Sequence, residues 1–298
     1  MKILLTGPTG FIGKAFTRLA ISRGHQIAGL VIPAENIPGD LPASPNLTWL
    51  RGTLDEVPWE VIKSFAPDVC LHTAWVTAPG VYLESPDNYR FLEASVSFLR
   101  RARQLGVSHF VTLGTCIEYQ ITHEPLVEGR TPIAPTTTYA RCKNELRQTI
   151  ESDAKAGGFT CCWGRVFYPY GPGEHPSRLC SSLIQKLSRD EKLVLKTPDS
   201  TKDYIFIEDL AAAILTLLTQ RATGAINLGT GIGLSVREIA RTIGDLVGKP
   251  HLVEEVSPPA IDPLGYVVAD ASRLHGLGWK PQTGLSGGVT RLMASLQK

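Results

Sequence analysis

The feature that most constrains this chain is a glycine-rich turn near its start. An apolar run at residues 3–6 leads into glycines at positions 7, 10 and 13, and residues 14–20 then have helical spacing. Glycine permits a tight turn and close approach of the backbone to a pyrophosphate, and the N–H groups of the new helix attract that anion. The pattern predicts a strand, a turn and a helix that bind a dinucleotide through Gly7, Thr9, Gly10, Phe11, Ile12 and Gly13.

Apolar runs that suit buried strands alternate along the chain with segments of helical spacing. The strand candidates are residues 26–32, 69–72, 110–113 and 160–166, and the helix candidates are residues 88–105 and 139–156. Strands that alternate with helices build a parallel sheet, whose ligands bind beyond the carboxyl ends of the strands. The predicted fold class is therefore α/β, with a doubly wound Rossmann sheet.

The character of the sequence changes after residue 166. Residues 170–176 read Tyr-Gly-Pro-Gly-Glu-His-Pro, which is typical of a loop, and residues 179–187 have helical spacing. We expect a dinucleotide-binding Rossmann domain over residues 1–166, to which residues 205–231 return. Residues 167–204 and 232–298 are expected to form a smaller C-terminal α/β lobe that binds the substrate.

Composition and charge exclude several classes of protein. The chain has 298 residues with 43% hydrophobic content, enough for a large core, and its formal net charge of +2 gives no general attraction to nucleic acid. No apolar stretch approaches the roughly 20 residues of a membrane span, and the first residues suit a strand instead of a signal peptide. We expect a cytoplasmic protein that binds neither nucleic acid nor a membrane.

The cysteines and histidines do not form a metal-binding pattern. Six cysteines are present without CxxC spacing, which favours reduced thiols. Cys161 and Cys162 are neighbours in a predicted strand and would point to opposite faces. His72 and His175 are not at the spacing of metal ligands, so we expect no metal site.

A tyrosine and a lysine lie one helical turn apart in the second long helix. Tyr139 and Lys143 are four residues apart and share one face of that helix. A phenol with a pKa of about 10 is a poor proton shuttle at neutral pH, but a nearby ammonium stabilises the phenolate. On its own the pair is also compatible with a solvated helix face; beside the glycine turn it indicates acid–base chemistry next to a dinucleotide.

Motifs spread over nearly the whole chain resemble one superfamily. They are residues 6–13 (Thr-Gly-Pro-Thr-Gly-Phe-Ile-Gly), residues 68–74 (Asp-Val-Cys-Leu-His-Thr-Ala), Thr115 after a strand, Tyr139-x-x-x-Lys143, residues 170–172 (Tyr-Gly-Pro), residues 202–209 (Lys-Asp-Tyr-Ile-Phe-Ile-Glu-Asp), residues 227–231 (Asn-Leu-Gly-Thr-Gly) and residues 277–281 (Leu-Gly-Trp-Lys-Pro). The chain resembles the extended short-chain dehydrogenase/reductase superfamily, within it the NAD-dependent epimerase/dehydratase family that modifies sugar nucleotides. Residues 72–75 and 114–119 are similar to its branch of deoxysugar 4-ketoreductases, which includes CDP-abequose synthase.

The resemblance implies a role for each matching residue. Tyr139 would be the acid/base and would also contact the cofactor. Lys143 would hold the nicotinamide ribose, and Thr115 would bond the substrate oxygen that gains or loses a proton. Further cofactor contacts are implied for Thr53, Leu54, Thr73 and Ala74. Contacts to a nucleoside-diphosphate sugar are implied for Trp75, Cys116, Tyr168, Arg178 and Lys202, and a homodimer is expected.

The positions after Thr115 distinguish the reactions of the family. Sugar 4,6-dehydratases resemble Thr-Asp-Glu there, whereas this chain has Cys116 and Ile117, with Glu118 one step late. Enzymes that epimerise C3 and C5 carry a cysteine two places after the hydroxyl and a histidine where Arg178 stands. Reduction of a 4-keto group and epimerisation at C4 therefore remain.

Trp75 favours reduction, because a bulky indole near the nicotinamide would restrict rotation of a keto-sugar; the indole is also compatible with a packed core. We expect NAD(P)H-dependent reduction of a nucleoside-diphosphate-4-keto-6-deoxysugar at C4. The alternatives are a nucleotide-sugar 4-epimerase with tightly bound NAD and a non-catalytic dinucleotide-binding sensor. The segment Leu30-Val31-Ile32 has no acid to bond the ribose of NAD, which favours NADP(H), with NAD(H) as the alternative.

Overall fold

The computed structural model describes residues 1–297 of the chain. Its strands are β1 (Lys2–Thr6), β2 (Gln26–Val31), β3 (Leu47–Arg51), β4 (Val69–His72), β5 (His109–Thr115), β6 (Thr160–Val166), β7 (Tyr168–Tyr170), β8 (Leu193–Leu195), β9 (Thr201–Phe206), β10 (Gly224–Leu228), β11 (Gly233–Ser235), β12 (Val253–Glu255) and β13 (Tyr266–Val267). Its helices are α1 (Phe11–Ser22), α2 (Trp59–Phe65), α3 (Asp87–Gln104), α4 (Thr138–Gly157), α5 (Leu179–Ser188), α6 (Ile207–Thr219), α7 (Val236–Val247), α8 (Ser272–Gly276) and α9 (Leu285–Leu296). A short 3₁₀ turn, Cys116–Glu118, follows β5 directly.

A seven-stranded parallel sheet confirms the predicted fold class. The strand order is β10-β6-β5-β4-β1-β2-β3, with β1 at the point where the connections reverse direction. Strand β1 pairs with β2 and with β4 in parallel register, so Thr6 lies beside Leu30 on one side and His72 on the other. The carboxyl ends of these three strands therefore meet at one edge of the sheet.

The predicted strands and helices are present, with small differences at their ends. Strand β2 ends at Val31, one residue before the predicted end, because Pro33 has no N–H to extend the ladder and Ile32 is exposed. Helix α4 begins after Thr137, whose side chain accepts a hydrogen bond from the Ala140 N–H, and ends before Gly158 in the left-handed conformation. The caps fix where Tyr139 and Lys143 lie on this helix.

Contacts between residues divide the chain into two compact units. The first unit contains residues 1–120, 132–165 and 211–226, and the second contains residues 121–131, 166–210 and 227–297. The second unit has a sheet in the order β11-β9-β13, with β7 paired to β9, and a pair of strands, β12 and β8. Residues 121–131 join it because Leu126 exchanges backbone hydrogen bonds with Val268 and Asp270. Within residues 1–297, no helix has both the length and the apolar content that crossing a bilayer requires.

Candidate active site

The glycine turn after β1 has the geometry that close approach to a ligand requires. Gly7 has φ +69°, and the Gly10 N–H donates to the Gly7 carbonyl at 3.3 Å. A Cβ on Gly13 would lie 1.9 Å from the Gly7 carbonyl oxygen, so any side chain there would displace the turn. Helix α1 begins after Gly10 with no side chain bonded to its first N–H groups, which leaves them for an anion.

A cavity of about 300 Å³ opens at this turn, within the first unit. Seven residues predicted to contact the cofactor or substrate line it: Gly7, Thr9, Gly10, Thr53, Leu54, Ala74 and Trp75. Phe11, Ile12 and Gly13 form the first turn of α1 beside it. A cavity that joins the glycine turn to the ends of β2, β3 and β4 has the lining that a dinucleotide needs.

Sequence reasoning missed part of this lining. Arg90 and Phe91 also face the cavity, as does Glu35, which the sequence shows only as a charge in a loop. Leu30 and Ile32, which line it too, belong to the segment from which the sequence predicts the choice of cofactor. No local pattern marks Arg90 and Phe91, because they lie on α3 and reach the cavity only through the fold.

A buried hydrogen-bond network holds the ends of β1 and β4 together. The Thr6 hydroxyl is bonded to His72 Nδ1 at 2.9 Å and accepts the backbone N–H groups of Thr73 and Ala74 at 3.2 Å. His72 Nε2 is bonded to the Ser95 hydroxyl at 2.9 Å. Burial, and then the charge of Lys143, lower the pKa of His72 to about 3, so this imidazole is neutral. The network places Thr73 and Ala74 beside the glycine turn.

Lys143 lies almost completely inside the protein, one turn along α4 from Tyr139. Its ammonium donates to the Leu113 carbonyl at 2.9 Å. The same nitrogen lies 4.0 Å from the centre of the Trp75 ring and 5.9 Å from the centre of the Tyr139 ring. Thr115 is the last residue of β5, two residues beyond Leu113. The fold thus places the predicted catalytic lysine next to Tyr139 and at the end of the strand that carries Thr115.

Burial changes the proton affinity of Lys143. Loss of solvation lowers the pKa of its ammonium from 10.5 to about 7, and the negative charge of Glu118 acts in the opposite direction. A lysine of this kind titrates near neutral pH. Its charge state is therefore sensitive to every charged group nearby.

The segment between β4 and α3, residues 73–86, covers the start of α4. The Tyr139 N–H donates to the Leu83 carbonyl at 2.9 Å, and the Tyr82 ring meets the Tyr139 ring edge-on at 4.9 Å between centres. The Thr138 hydroxyl donates to the Glu84 carboxylate at 2.6 Å. These contacts hold the backbone and the ring of Tyr139 against the segment that covers it.

Trp75 is fixed by its neighbours on the same segment and on α3. Its indole is 8% exposed, and Nε1 donates to the Asn88 side-chain oxygen at 2.8 Å. The Asn88 amide in turn donates to the carbonyls of Tyr82 and Ser85. Trp75 is thus a packed aromatic and a neighbour of Lys143 at once.

The side chains of Glu118 and Cys116 are both buried inside the first unit. Cys116 is 3% exposed and begins the 3₁₀ turn, while the Glu118 carboxylate is fully buried and pairs with Arg165 at 2.8 Å. This carboxylate is already neutralised by a buried guanidinium.

The remaining predicted substrate residues belong to the second unit. The Tyr168 ring packs on Tyr204 with 5.7 Å between centres, and Arg178 is exposed at the start of α5. Lys202 is buried, and its ammonium donates to the Ser200 hydroxyl and to Asp262 at 2.9 and 3.0 Å. The ammonium of Lys202 thus already has an anionic partner.

All six cysteines are thiols. Across residues 1–297, no group of three or more His, Cys, Asp or Glu side chains is arranged to hold a metal ion.

Comparison with known proteins identifies the family. Residues 3–229 match the NAD dependent epimerase/dehydratase family. The chain is 26% identical to UDP-glucose 4-epimerase of Corynebacterium glutamicum, over 95% of this chain and 91% of that protein. It is 23% identical to dTDP-4-dehydro-6-deoxyglucose reductase of Escherichia coli, over 99% of this chain and 97% of that protein.

The fold has close structural relatives. The crystal structure of Thermus thermophilus UDP-glucose 4-epimerase in complex with NAD superposes with a TM-score of 0.86 at 24% identity, covering 100% of this chain and 99% of that one. With the glycine turn, the Tyr139–Lys143 pair and the match over residues 3–229, the chain belongs to the NAD-dependent epimerase/dehydratase family, enzymes of the extended short-chain dehydrogenase/reductase type.

Proposed function

We propose that this protein reduces a nucleoside-diphosphate-4-keto-6-deoxysugar at C4. Tyr139 donates the proton to the C4 oxygen as the carbonyl becomes a hydroxyl, and Thr115 holds that oxygen by a hydrogen bond. The ammonium of Lys143 stabilises the phenolate that the proton transfer leaves on Tyr139. A reduced nicotinamide dinucleotide, when bound, supplies the hydride that this reaction needs.

The observation that carries the reduction is the fixed indole of Trp75 beside Lys143. In a 4-epimerase the keto-sugar must rotate within the site between two hydride transfers, so that the hydride returns to the opposite face of C4. That rotation requires free space beside the nicotinamide. Here the ring is 4.0 Å from the Lys143 ammonium and is held by Asn88, so it does not swing aside without breaking a buried hydrogen bond. Reduction needs only one orientation of the sugar.

Elimination of water is disfavoured by the same site. Cys116 and Ile117 offer no carboxylate, and Glu118 is buried against Arg165. The proton chemistry is therefore left to Tyr139.

The cavity lining supports NAD(H) as the cofactor. Glu35 faces the cavity, where a carboxylate can bond the ribose hydroxyls and would repel a 2′-phosphate. Lys14, the nearby cation of α1, is paired with Asp40 at 3.1 Å. The preference for NADP(H) drawn from residues 30–32 stays a prediction, and one titration with both dinucleotides decides between them.

The second candidate function is 4-epimerisation of a nucleotide sugar with retained NAD. It is supported by the similarity over nearly the whole chain to UDP-glucose 4-epimerases, and it would use the same Thr115, Tyr139 and Lys143. The substrate in either case would be a nucleoside-diphosphate sugar, with Tyr168 and Arg178 as proposed contacts; the ammonium of Lys202 is already paired with Asp262.

The test begins with the dinucleotide that purified protein releases on denaturation, identified by its spectrum and mass. Dinucleotide-free protein that binds NADH or NADPH and oxidises it when given a 4-keto-6-deoxysugar nucleotide supports the reductase. Roughly stoichiometric NAD with turnover of UDP-glucose, and no net oxidation of dinucleotide, overturns it in favour of the epimerase. Light scattering of the same sample tests the proposed homodimer.

A further inference from the structure

Glu118 joins the end of β5 to the strand beside it. Its Oε1 accepts the Thr115 N–H at 2.8 Å, and Oε2 accepts Arg165 Nε at 2.8 Å. The Trp163 indole N–H lies 3.1 Å from one carboxylate oxygen and 3.0 Å from the other. These four contacts of the buried carboxylate are made to β5 and β6, and one of them fixes the backbone of Thr115.

The strand is shaped to admit these contacts. A Cβ on Gly114 would lie 2.1 Å from Trp163 Nε1 and 2.4 Å from Glu118 Oε1. Any side chain at position 114 would separate the indole from the carboxylate. The Gly114-Thr115 sequence therefore allows Glu118 to reach across the strand.

The same region buries two cations and one anion. Arg165 is 2% exposed, Lys143 is 3% exposed and Glu118 is fully buried. Lys143 donates to the carbonyl of Leu113, directly before Gly114, so the ammonium and the carboxylate both contact the last three residues of β5. Of the other groups that face Lys143, His72 is neutral and Trp75 presents a ring face. Tyr139, on the same helix, is the proposed proton donor.

A buried ammonium keeps its proton only if a nearby anion offsets the loss of solvation. The negative charge of Glu118 raises the proton affinity of Lys143, and Arg165 offsets part of that charge. The balance among the three groups therefore sets the charge of Lys143.

We propose that Glu118 is a positioning residue of the site: it fixes Thr115 through its backbone N–H, and its buried negative charge favours the protonated form of Lys143. This inference rests on the proposed function, because it takes Thr115 and Lys143 as the groups that act on the substrate. It gives this chain a carboxylate that serves the reaction without touching the sugar.

The test compares two substitutions in the same ion pair. In Glu118→Gln, Arg165 keeps its charge without a counter-charge, so the acid dissociation constant of Lys143 should rise about tenfold or more. In Arg165→Gln, Glu118 faces Lys143 alone, so that constant should fall. NMR of protein labelled at the lysine side-chain carbons gives both values, with the Lys143 signal assigned by its loss in Lys143→Arg.

A merely structural role predicts a different result. Loosening of the ion pair would admit water in both variants and move the Lys143 titration toward that of a solvated lysine in both. Shifts of the same sign, or no shift in Arg165→Gln, overturn the proposal. If Glu118→Gln fails to fold, Arg165→Gln alone still overturns the proposal when the acid dissociation constant of Lys143 does not fall.

The pH profile of turnover adds a second readout. Glu118→Asp, which keeps the charge, should restore the Lys143 titration and part of kcat, whereas Glu118→Gln should move the alkaline limb of the profile to lower pH. The NMR titration needs no substrate. Opposite shifts in protein that reduces no 4-keto-sugar would therefore refute the proposed function and leave the charge balance established.

Discussion

The ammonium of Lys143 lies 4.0 Å from the centre of the Trp75 ring, over its face. The two residues come from different elements, α4 and the segment after β4, and the Asn88 side chain fixes the indole at 2.8 Å from the other side. A desolvated ammonium over an indole gains about 2 kcal/mol. Trp75 therefore stabilises the charged form of Lys143 as well as filling space.

Replacement of Trp75 by leucine should separate these two effects. Trp75→Leu removes the ring face and should lower kcat for 4-keto-sugar reduction about tenfold or more, because roughly 1–2 kcal/mol of support for the Lys143 charge is lost. Trp75→Phe keeps a smaller ring face, which binds a cation less strongly, loses the bond to Asn88, and should cost about threefold. Steady-state kinetics with a saturating dinucleotide measure both. Equal losses in the two variants would mean that the indole acts through its volume alone.

Removal of the Tyr139 hydroxyl should abolish most of the chemistry and spare the cofactor site. Tyr139→Phe should lower kcat about 10²- to 10⁴-fold, the usual contribution of a general acid. Dinucleotide affinity should change little, because the cavity lining at Gly7, Thr53 and Leu54 is untouched. Tyr89→Phe, on an exposed position of α3, is the matched control and should retain full activity. A Tyr139→Phe enzyme with near-normal kcat would assign the proton to another group.

The glycine turn offers a pair of substitutions with different outcomes. A Cβ on Gly10 has only the Gly7 carbonyl within 4 Å, at 3.5 Å, so Gly10→Ala should fold normally and lose dinucleotide affinity about tenfold or more, because a methyl group stands where the pyrophosphate must approach. Gly13→Ala places its Cβ 1.9 Å from the Gly7 carbonyl oxygen and should lower Tm as well.

Calorimetric titration and thermal unfolding measure the two effects. Gly287→Ala, in α9, is the control, because its Cβ would meet nothing closer than 3.9 Å. Loss of dinucleotide affinity in that variant, or none in Gly10→Ala, would place the pyrophosphate elsewhere.

The fold was largely predictable because its signals are local. The run at residues 3–6 and the three glycines specify strand, turn and helix within 20 residues, and the apolar runs of β4 and β6 end where predicted. Strand β3 gave no such signal, because Leu47–Arg51 is a half-buried edge strand with polar residues interleaved. Strands of two or three residues in the second unit are too short to show a period.

In the candidate site, too, the residues that form a local pattern were predictable, and those that are paired through distant contacts were not. Tyr139 and Lys143 were predictable because residues four positions apart in a helix lie on the same face. Glu118 with Arg165, and Lys202 with Asp262, are 47 and 60 residues apart, so no local pattern pairs them. Whether a charged side chain is available to a ligand or already has a partner depends on such distant contacts, and only the fold supplies them.

The buried Lys143 also predicts how stability depends on pH. Its pKa is about 7 in the folded protein and 10.5 in the unfolded chain, so between these values the unfolded chain binds more protons and this residue makes the free energy of unfolding rise with pH. Lys143→Met has no such group. Its stability relative to the parent should be highest near pH 7 and fall by about 3–4 kcal/mol as pH approaches 10.

Urea unfolding of the two proteins side by side at several pH values measures this difference, and titrating groups that do not interact with Lys143 cancel in the comparison. Loss of the bond to Leu113 adds an offset that does not vary with pH, so the slope carries the information. Lys63→Met, on an exposed face of α2, should show no slope. A Lys143→Met difference that is flat from pH 7 to 10 would show that the ammonium stays charged in the folded protein.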